Sequence, residues 1–199
     1  MSRERFTDFD FGLTVLAGGF HQDWCYTGAP EDVALESIGS GEGAAALERD
    51  VSVLIGSELG DGQIERLWEA ATDENYVFGP GETGRGLLRR FLAVGRDWQR
   101  AHGSARPAGD PAWEDPELRD RVLRAVAAAP LGVELREVLT VCARTLSAEL
   151  AFRLLLRLYV AGMVSVTPVD WHEYQQISTA FMLGEHVIEM IEFLVEDPH

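Results

Sequence analysis

Lysine is absent from this chain of 199 residues, cysteine occurs only twice, and there is no long apolar run. All 17 of its lysine-or-arginine positions are therefore arginine. Cys25 and Cys142 lie far apart, which excludes a disulfide framework or a cysteine zinc site and favours two reduced thiols. The apolar stretches are shorter than the roughly 20 residues that a membrane-spanning helix needs. Residues 1–10 mix acids, arginines and aromatic residues, unlike a secretory signal. We therefore expect a cytoplasmic protein that associates with no membrane and carries no cofactor.

Negative charge is in large excess, with a net charge of −16 at pH 7. Residues 1–109 hold 10 arginines and 18 carboxylates, and residues 110–199 hold 7 and 15, so both halves are acidic. Because nucleic acid is bound mainly by neutralising its phosphates, we expect no DNA or RNA binding by either half. The same field attracts a basic protein partner. Acidity that only keeps the protein soluble remains the alternative.

Apolar residues recur every three or four positions in the first half, which is typical of amphipathic helices. Glycine-rich breaks separate these segments. Phe6, Phe9, Leu13, Leu16 and Phe20 predict a first helix ending at Gly18-Gly19. The later segments are residues 30–38, 43–57, 64–71 and 87–100. We predict a helical domain over residues 1–103.

The second half begins after a stretch rich in glycine, proline and small residues, which predicts a linker at residues 104–111. Residues 112–199 then form a second helical domain of unknown role. Its first helices cover residues 118–129 and 131–145, and Ser147 caps a third that ends at Gly162. The predicted fold class is all-α, with two small helical domains or subdomains. We expect at most one short strand or hairpin in the C-terminal half, at residues 164–167.

The end of the chain predicts one long final helix. Its apolar residues repeat at spacings of four, three, four, three and four: Ile177, Phe181, Gly184, Ile188, Ile191 and Val195. Such a seam packs against helices of the same chain or of a second copy, so a homodimer is one possibility. Glutamates repeat beside it, at Glu185, Glu189, Glu192 and Glu196. Like charges at this spacing repel. Either they form a solvated face, or they form an acidic strip shaped for a basic partner.

Three motifs resemble catalytic or binding sites but lack required residues. His172-Glu173 begins a metalloprotease motif, yet Gln176 stands where the second histidine ligand is needed. Residues 79–86 have the spacing of a phosphate-binding loop, but Arg85 and Gly86 replace its lysine and hydroxyl residue. His21 and Asp23 supply only two of the ligands that a metal needs. We therefore predict no metal site and no enzymatic activity.

Residues 16–24, Leu-Ala-Gly-Gly-Phe-His-Gln-Asp-Trp, carry a resemblance to a known family. They resemble the Gly-aromatic-Phe-His-Gln-Asp-Trp stretch of bacterial CdiI-type immunity proteins, which belong to contact-dependent growth inhibition and related polymorphic toxin systems. The layout of residues 6–100 is also similar, with a Pro-Glu-Asp helix, a longer helix pair, a Pro/Gly loop and a closing helix. Gly19 departs from the family's usual aromatic residue, the loop lacks the family's aspartate-rich form, and residues 112–199 lie outside the resemblance.

The resemblance implies an immunity protein that binds and neutralises a cognate toxin domain one to one. Such toxins are often nucleases and therefore often basic, which agrees with the charge of this chain. The candidate partner contacts are His21, Asp23 and Trp24, together with Glu185, Glu189, Glu192 and Glu196. A purely structural role for residues 21–24 remains open. The alternative function is a helical adaptor or regulator that binds proteins or dimerises through residues 112–199.

Overall fold

The computed structural model describes residues 9–26, 28–103 and 115–196. These residues fold almost entirely into helices, so the all-α prediction is confirmed. They separate into two compact units. Residues 11–103 form the N-terminal unit, and residues 9–10 together with 115–196 form the C-terminal unit. The predicted linker at residues 104–111 lies outside the described residues.

The N-terminal unit is built around a pair of long helices. Its helices are α1 (Gly12–Gly19), α2 (Pro30–Ile38), α3 (Gly41–Ile55), α4 (Asp61–Ala71) and α5 (Gly84–His102), with a 3-10 turn at Trp24–Tyr26. Helix α5 packs most extensively against α3, and α1 packs against α2 and α3. The two helices are in contact at Gly95, where a Cβ atom would lie 3.4 Å from the carbonyl oxygen of Ala44. Leu47, Leu54, Leu88 and Phe91 fill the core between these helices.

Helix α1 begins later than the apolar repeat predicts, and that boundary was wrong. Its first residue is Gly12, whose φ of +62° favours glycine. The buried carboxylate of Asp50, on α3, accepts a hydrogen bond from the Leu13 N–H at 3.1 Å and so caps the helix. Phe9 precedes this start and stacks on His186 in the C-terminal unit, at 4.7 Å between ring centroids. Phe6 lies outside the described residues.

The C-terminal unit surrounds one buried helix. Its helices are α6 (Pro116–Ala128), α7 (Val133–Val141) with a π-helical turn at Cys142–Leu146, α8 (Ala148–Ala161), α9 (Pro168–Ala180), α10 (Glu185–Glu189) and a 3-10 turn at Glu192–Leu194. Nearly all of α8 is buried, including the ion pair between Glu149 and Arg153. Ser147 caps α8 as predicted, by accepting a bond from the Leu150 N–H at 3.1 Å. Among the described residues, β-structure is limited to a parallel bridge between Val166 and Val195.

The prediction of one long final helix is wrong, because the helix is interrupted at Met182, which has a left-handed backbone conformation. Helix α9 ends at Ala180, and α10 begins only after Gly184. The apolar residues of the repeat are nevertheless buried within the C-terminal unit, or half-buried in the case of Gly184 and Val195. The seam therefore packs inside this chain, along a broken path rather than along one helix.

Helix α9 ends in a Schellman motif, which usually has glycine at the left-handed position that Met182 occupies here. The Met182 N–H bonds to the carbonyl of Thr179 and the Leu183 N–H bonds to that of Ser178, both at 3.0 Å. This pattern requires a left-handed residue, and Met182 has a φ of +55°. Asp73 after α4 and Met163 after α8 occupy the same position, with φ of +53° and +48°. Three helices thus end on left-handed residues that are not glycine.

Candidate partner-binding site

Phe20 is the buried centre of an aromatic cluster in the N-terminal unit. Its side chain is 1% exposed. The surrounding rings belong to Trp24, Trp68, Tyr76 and Phe91, at centroid distances of 5.0, 5.4, 5.4 and 6.1 Å. Tilted and edge-on contacts of this kind stabilise a core beyond simple burial. Phe20 therefore anchors the signature segment, by which we mean residues 20–24, to α4, α5 and the loop after α4.

Trp24, the other aromatic residue of the signature, is half-buried and fixes the turn to a second segment. Its indole N–H donates a hydrogen bond to the carbonyl oxygen of Asn75 at 2.7 Å. Its ring also lies 5.6 Å from that of Tyr76. The turn at residues 21–26 and the loop at residues 73–78 are thus held side by side. Trp24 has a clear structural role, whatever it contacts outside the chain.

The polar residues between the two aromatics are exposed. His21, Gln22 and Asp23 all face solvent. The Asp23 N–H donates to Nδ1 of His21 at 3.2 Å, and the Trp24 N–H donates to the His21 carbonyl at 2.9 Å. These bonds hold the turn in one shape while leaving the carboxylate of Asp23 at the surface. In the part of the chain that the structure describes, no three histidine, cysteine or acidic residues are placed to hold a metal.

The four C-terminal glutamates do not form the predicted strip along one helix. Glu185 and Glu189 lie on α10, Glu192 lies in the following 3-10 turn, and Glu196 lies beside the β-bridge. His186 is close to two of them, with Nδ1 at 2.6 Å from Glu189 and Nε2 at 3.9 Å from Glu185. All four side chains are exposed. Their spacing in the sequence does not translate into a regular row, because α10 ends at Glu189 and a 3-10 turn follows it.

A charged network fastens the loop after α4 to its neighbours. Arg90 donates to both carboxylate oxygens of Glu31, at 2.5 and 2.7 Å, and to Glu82 at 2.6 Å. The hydroxyl of Tyr76 donates to the same oxygen of Glu82 at 2.6 Å. The hydrogen bond from Arg90 lowers the pKa of Glu31, and burial raises the pKa of Tyr76. Arg90 is therefore committed to carboxylates inside the unit.

The residues of the incomplete motifs make internal contacts. Thr83 accepts a bond from the Gly86 N–H at 3.1 Å and so caps α5. The guanidinium of Arg85 donates to the carbonyls of Ser57 at 3.0 Å and of Leu59 at 2.5 Å. On α9, His172 and Gln176 are hydrogen-bonded to each other. The glycine-rich segment at residues 79–86 therefore contains the start of α5, and its Arg85 binds backbone carbonyl oxygens of the same unit.

Comparisons of the chain with family models, curated protein sequences and solved structures found no match. Within residues 9–26, 28–103 and 115–196, no helix has the length and apolar character to cross a membrane.

Two exposed residues beside the signature were not identified from the sequence. Tyr26 is 87% exposed and Val77 is 74% exposed. One ends the signature turn and the other lies in the loop bound to it through Trp24. Local sequence patterns carry no information about which distant segments of a chain lie side by side. The hydrogen bond from Trp24 to Asn75 and the ring contact between Trp24 and Tyr76 bring the two segments together.

Proposed function

We propose that this chain is an immunity protein that binds a cognate bacterial toxin domain in the cytoplasm and blocks it one to one. The observation that carries the proposal is the arrangement of the Phe20–Trp24 signature. Its two aromatic residues are fastened into the N-terminal unit, and its three polar residues face solvent on a fixed turn. A preorganised surface turn suits recognition of another protein, since little conformational entropy is lost when it binds.

Charge supports a basic toxin as the partner. Residues 11–103 contain 15 carboxylates and 7 arginines. Several of those arginines, such as Arg49, Arg90 and Arg96, are held by carboxylates of the same unit. The remaining negative field would speed encounter with a basic surface. On a nuclease, that surface is where nucleic acid phosphates bind. Occupying it would exclude the substrate without any chemistry by the immunity protein.

The test is co-expression of the full chain with the toxin domain encoded beside its gene. We expect cells to survive and the two proteins to co-purify as a one-to-one complex. Association should slow as salt rises from about 50 to 300 mM, because screening weakens attraction between exposed charges. The control is the same toxin expressed alone, which should kill the cells. Cell death despite the chain, with no complex recovered, would sink the immunity function.

An adaptor or dimerising role for the C-terminal unit is the second candidate. Exposed apolar side chains flank its β-bridge: Met163 is 67% exposed, Val169 79% and Phe193 63%. Apolar side chains grouped at a surface often mark a protein contact. Light scattering of the purified chain tests self-association. A dimer that becomes a monomer on Phe193→Ser would favour this role, and a monomer at all concentrations would exclude dimerisation.

A further inference from the structure

The signature turn and the loop bound to it form one continuous surface feature of the N-terminal unit. We call residues 21–26 and 73–78 the turn–loop surface. The bond from Trp24 to the Asn75 carbonyl and the tilted contact between the rings of Trp24 and Tyr76 join its two halves. The loop half is also fixed by the hydrogen bond that the Tyr76 hydroxyl donates to the Glu82 carboxylate. Both halves are therefore fixed in place before any partner arrives.

This surface exposes two large side chains that carry apolar atoms, Tyr26 and Val77. Tyr26 is 87% exposed and Val77 is 74% exposed, one on each half. Phe78 and Trp24, on the same two segments, are half-buried and add partly exposed aromatic surface. Tyrosine and tryptophan are over-represented among the residues that dominate binding energy in protein interfaces. An apolar centre of this kind is the usual core of such an interface.

The rim of the turn–loop surface has one sign of charge. Its two segments contain three carboxylates, Asp23, Asp73 and Glu74, and no arginine. All three are exposed. Arg66, outside the two segments, places its Nη1 3.9 Å from Glu74. An apolar centre with an acidic rim is complementary to a protein surface where arginine or lysine side chains surround a small apolar patch.

We infer that the turn–loop surface is where the toxin docks, a conclusion that rests on the proposed immunity function. The occupant is a basic patch of the toxin domain. Tyr26 offers a ring face for an arginine or lysine side chain, and Val77 offers an aliphatic contact. Asp23, Asp73 and Glu74 accept hydrogen bonds from further cationic groups. The exposed polar residues of the signature thereby gain a contact role, while Phe20 and Trp24 hold them in position.

Cys25 provides a direct test, because it lies in the middle of the turn half of this surface. Cys25 is exposed and Cys142 is buried. A bulky maleimide applied to the folded full chain will therefore modify Cys25 alone. We expect the modified protein to lose at least about 100-fold in affinity for the purified toxin domain. In a complex formed beforehand, Cys25 should resist modification. The matched control is Cys25→Ser with Ser52→Cys, which places the same label at an exposed position on α3, outside both segments.

Substitutions test the two kinds of contact separately. Tyr26→Ser removes the exposed ring and should weaken binding by about 30-fold, the size expected for an interface residue that dominates binding. Asp23→Arg reverses one rim charge at an exposed residue outside the left-handed helix ends, and should weaken binding by at least 10-fold and slow association. Glu58→Arg reverses an exposed carboxylate outside the two segments and is its control. Circular dichroism will confirm that each variant is folded, since all three side chains are exposed.

The outcomes separate the docking surface from the proposed function. If the parent chain binds the toxin domain and the label, Tyr26→Ser and Asp23→Arg all leave affinity unchanged, the turn–loop surface is overturned and the immunity function stands. If the parent chain itself does not bind, both are overturned. Loss of binding on labelling Cys25, with full binding of the label at position 52, supports the surface.

Discussion

Replacing Phe20 by alanine removes the ring at the centre of the aromatic cluster. The side chain is 1% exposed, and four aromatic rings lie within 6.1 Å of its centroid. These rings come from the signature turn, α4, the loop after α4 and α5. The substitution therefore opens a cavity at the point where four segments of the N-terminal unit meet.

The expected cost follows from burial and from the ring contacts. Truncating a buried phenylalanine to alanine costs about 3–5 kcal/mol, depending on how far the cavity collapses. Rigid aromatic neighbours collapse poorly, so we expect about 4–5 kcal/mol. Phe20→Leu keeps most of the volume but loses the ring-to-ring contacts, which are worth about 0.5–1.5 kcal/mol per favourable pair. We expect about 1–2 kcal/mol for that variant, since volume-conserving changes are usually mild.

Guanidinium denaturation followed by tryptophan fluorescence measures these differences. Trp24 and Trp68 lie 5.0 and 5.4 Å from the Phe20 ring and report its surroundings. The change in midpoint, at an unchanged denaturant slope, gives the change in the free energy of unfolding. Leu35→Ala is the control, because it removes apolar atoms from a side chain that is 52% exposed. Its cost should stay within about 0.5 kcal/mol.

A cost below about 1.5 kcal/mol for Phe20→Ala would refute this reasoning. It would mean that the cluster does not hold the N-terminal unit together. A cost near zero for Phe20→Leu would refute the part of the argument that assigns stability to ring geometry, because that variant loses the ring contacts while keeping most of the volume. Equal costs for Phe20→Ala and Phe20→Leu would refute the part that assigns stability to the cavity.

Three further changes have outcomes set by single contacts. Gly12→Ala should destabilise the unit by about 2–4 kcal/mol, because its Cβ would lie 2.2 Å from the Asp50 carboxylate and its φ is left-handed. Arg153→Met should cost about 3–5 kcal/mol by calorimetry or denaturation, because it removes the guanidinium from a buried carboxylate. Glu31→Gln should lower stability at pH 7, with a loss that shrinks below about pH 4.5. The bond from Arg90 lowers the pKa of Glu31, so its stabilising effect is present above the unfolded pKa and disappears as the pH falls through the folded one.

Each of these changes has a control or an opposing result. Gly62→Ala should be neutral or slightly stabilising, since nothing lies within 4 Å of a Cβ there. An unchanged stability of Gly12→Ala would contradict the close approach of Asp50. A double change, Glu149→Leu with Arg153→Met, should recover most of the single loss; equal losses would contradict a coupled pair. A deficit of Glu31→Gln that is the same at pH 7 and about pH 3.5 would contradict its ionic origin.

Many helix starts could be predicted because the residue that begins a helix acts locally. Pro30 begins α2, and the hydroxyl of Ser147 caps α8 at the predicted position. The sequence placed α5 from residue 87, and its cap at Thr83 extends it by one turn. Such signals require only the residue and its next three neighbours, so one sequence is enough to read them.

The missed features depend on residues that are distant in the chain. The start of α1 depends on Asp50, which lies 37 residues from the N–H that it accepts. The end of α9 depends on Met182 in a conformation that its side chain does not favour. The segments that carry Tyr26 and Val77 lie side by side because Trp24 bonds to Asn75 and its ring contacts Tyr76. The sequence predicted the turn as a candidate site, but not the loop that completes the surface.

At three helix ends, the backbone conformation is the opposite of the one that the residue prefers locally. These residues are Asp73, Met163 and Met182. Each of these residues would by itself rather continue a right-handed helix, at an advantage of about 1–2 kcal/mol. In the folded units they adopt the left-handed conformation instead. A helix as short as α9 is only marginally stable by itself in water, so the position of its end is set by packing of the folded unit rather than by the segment alone.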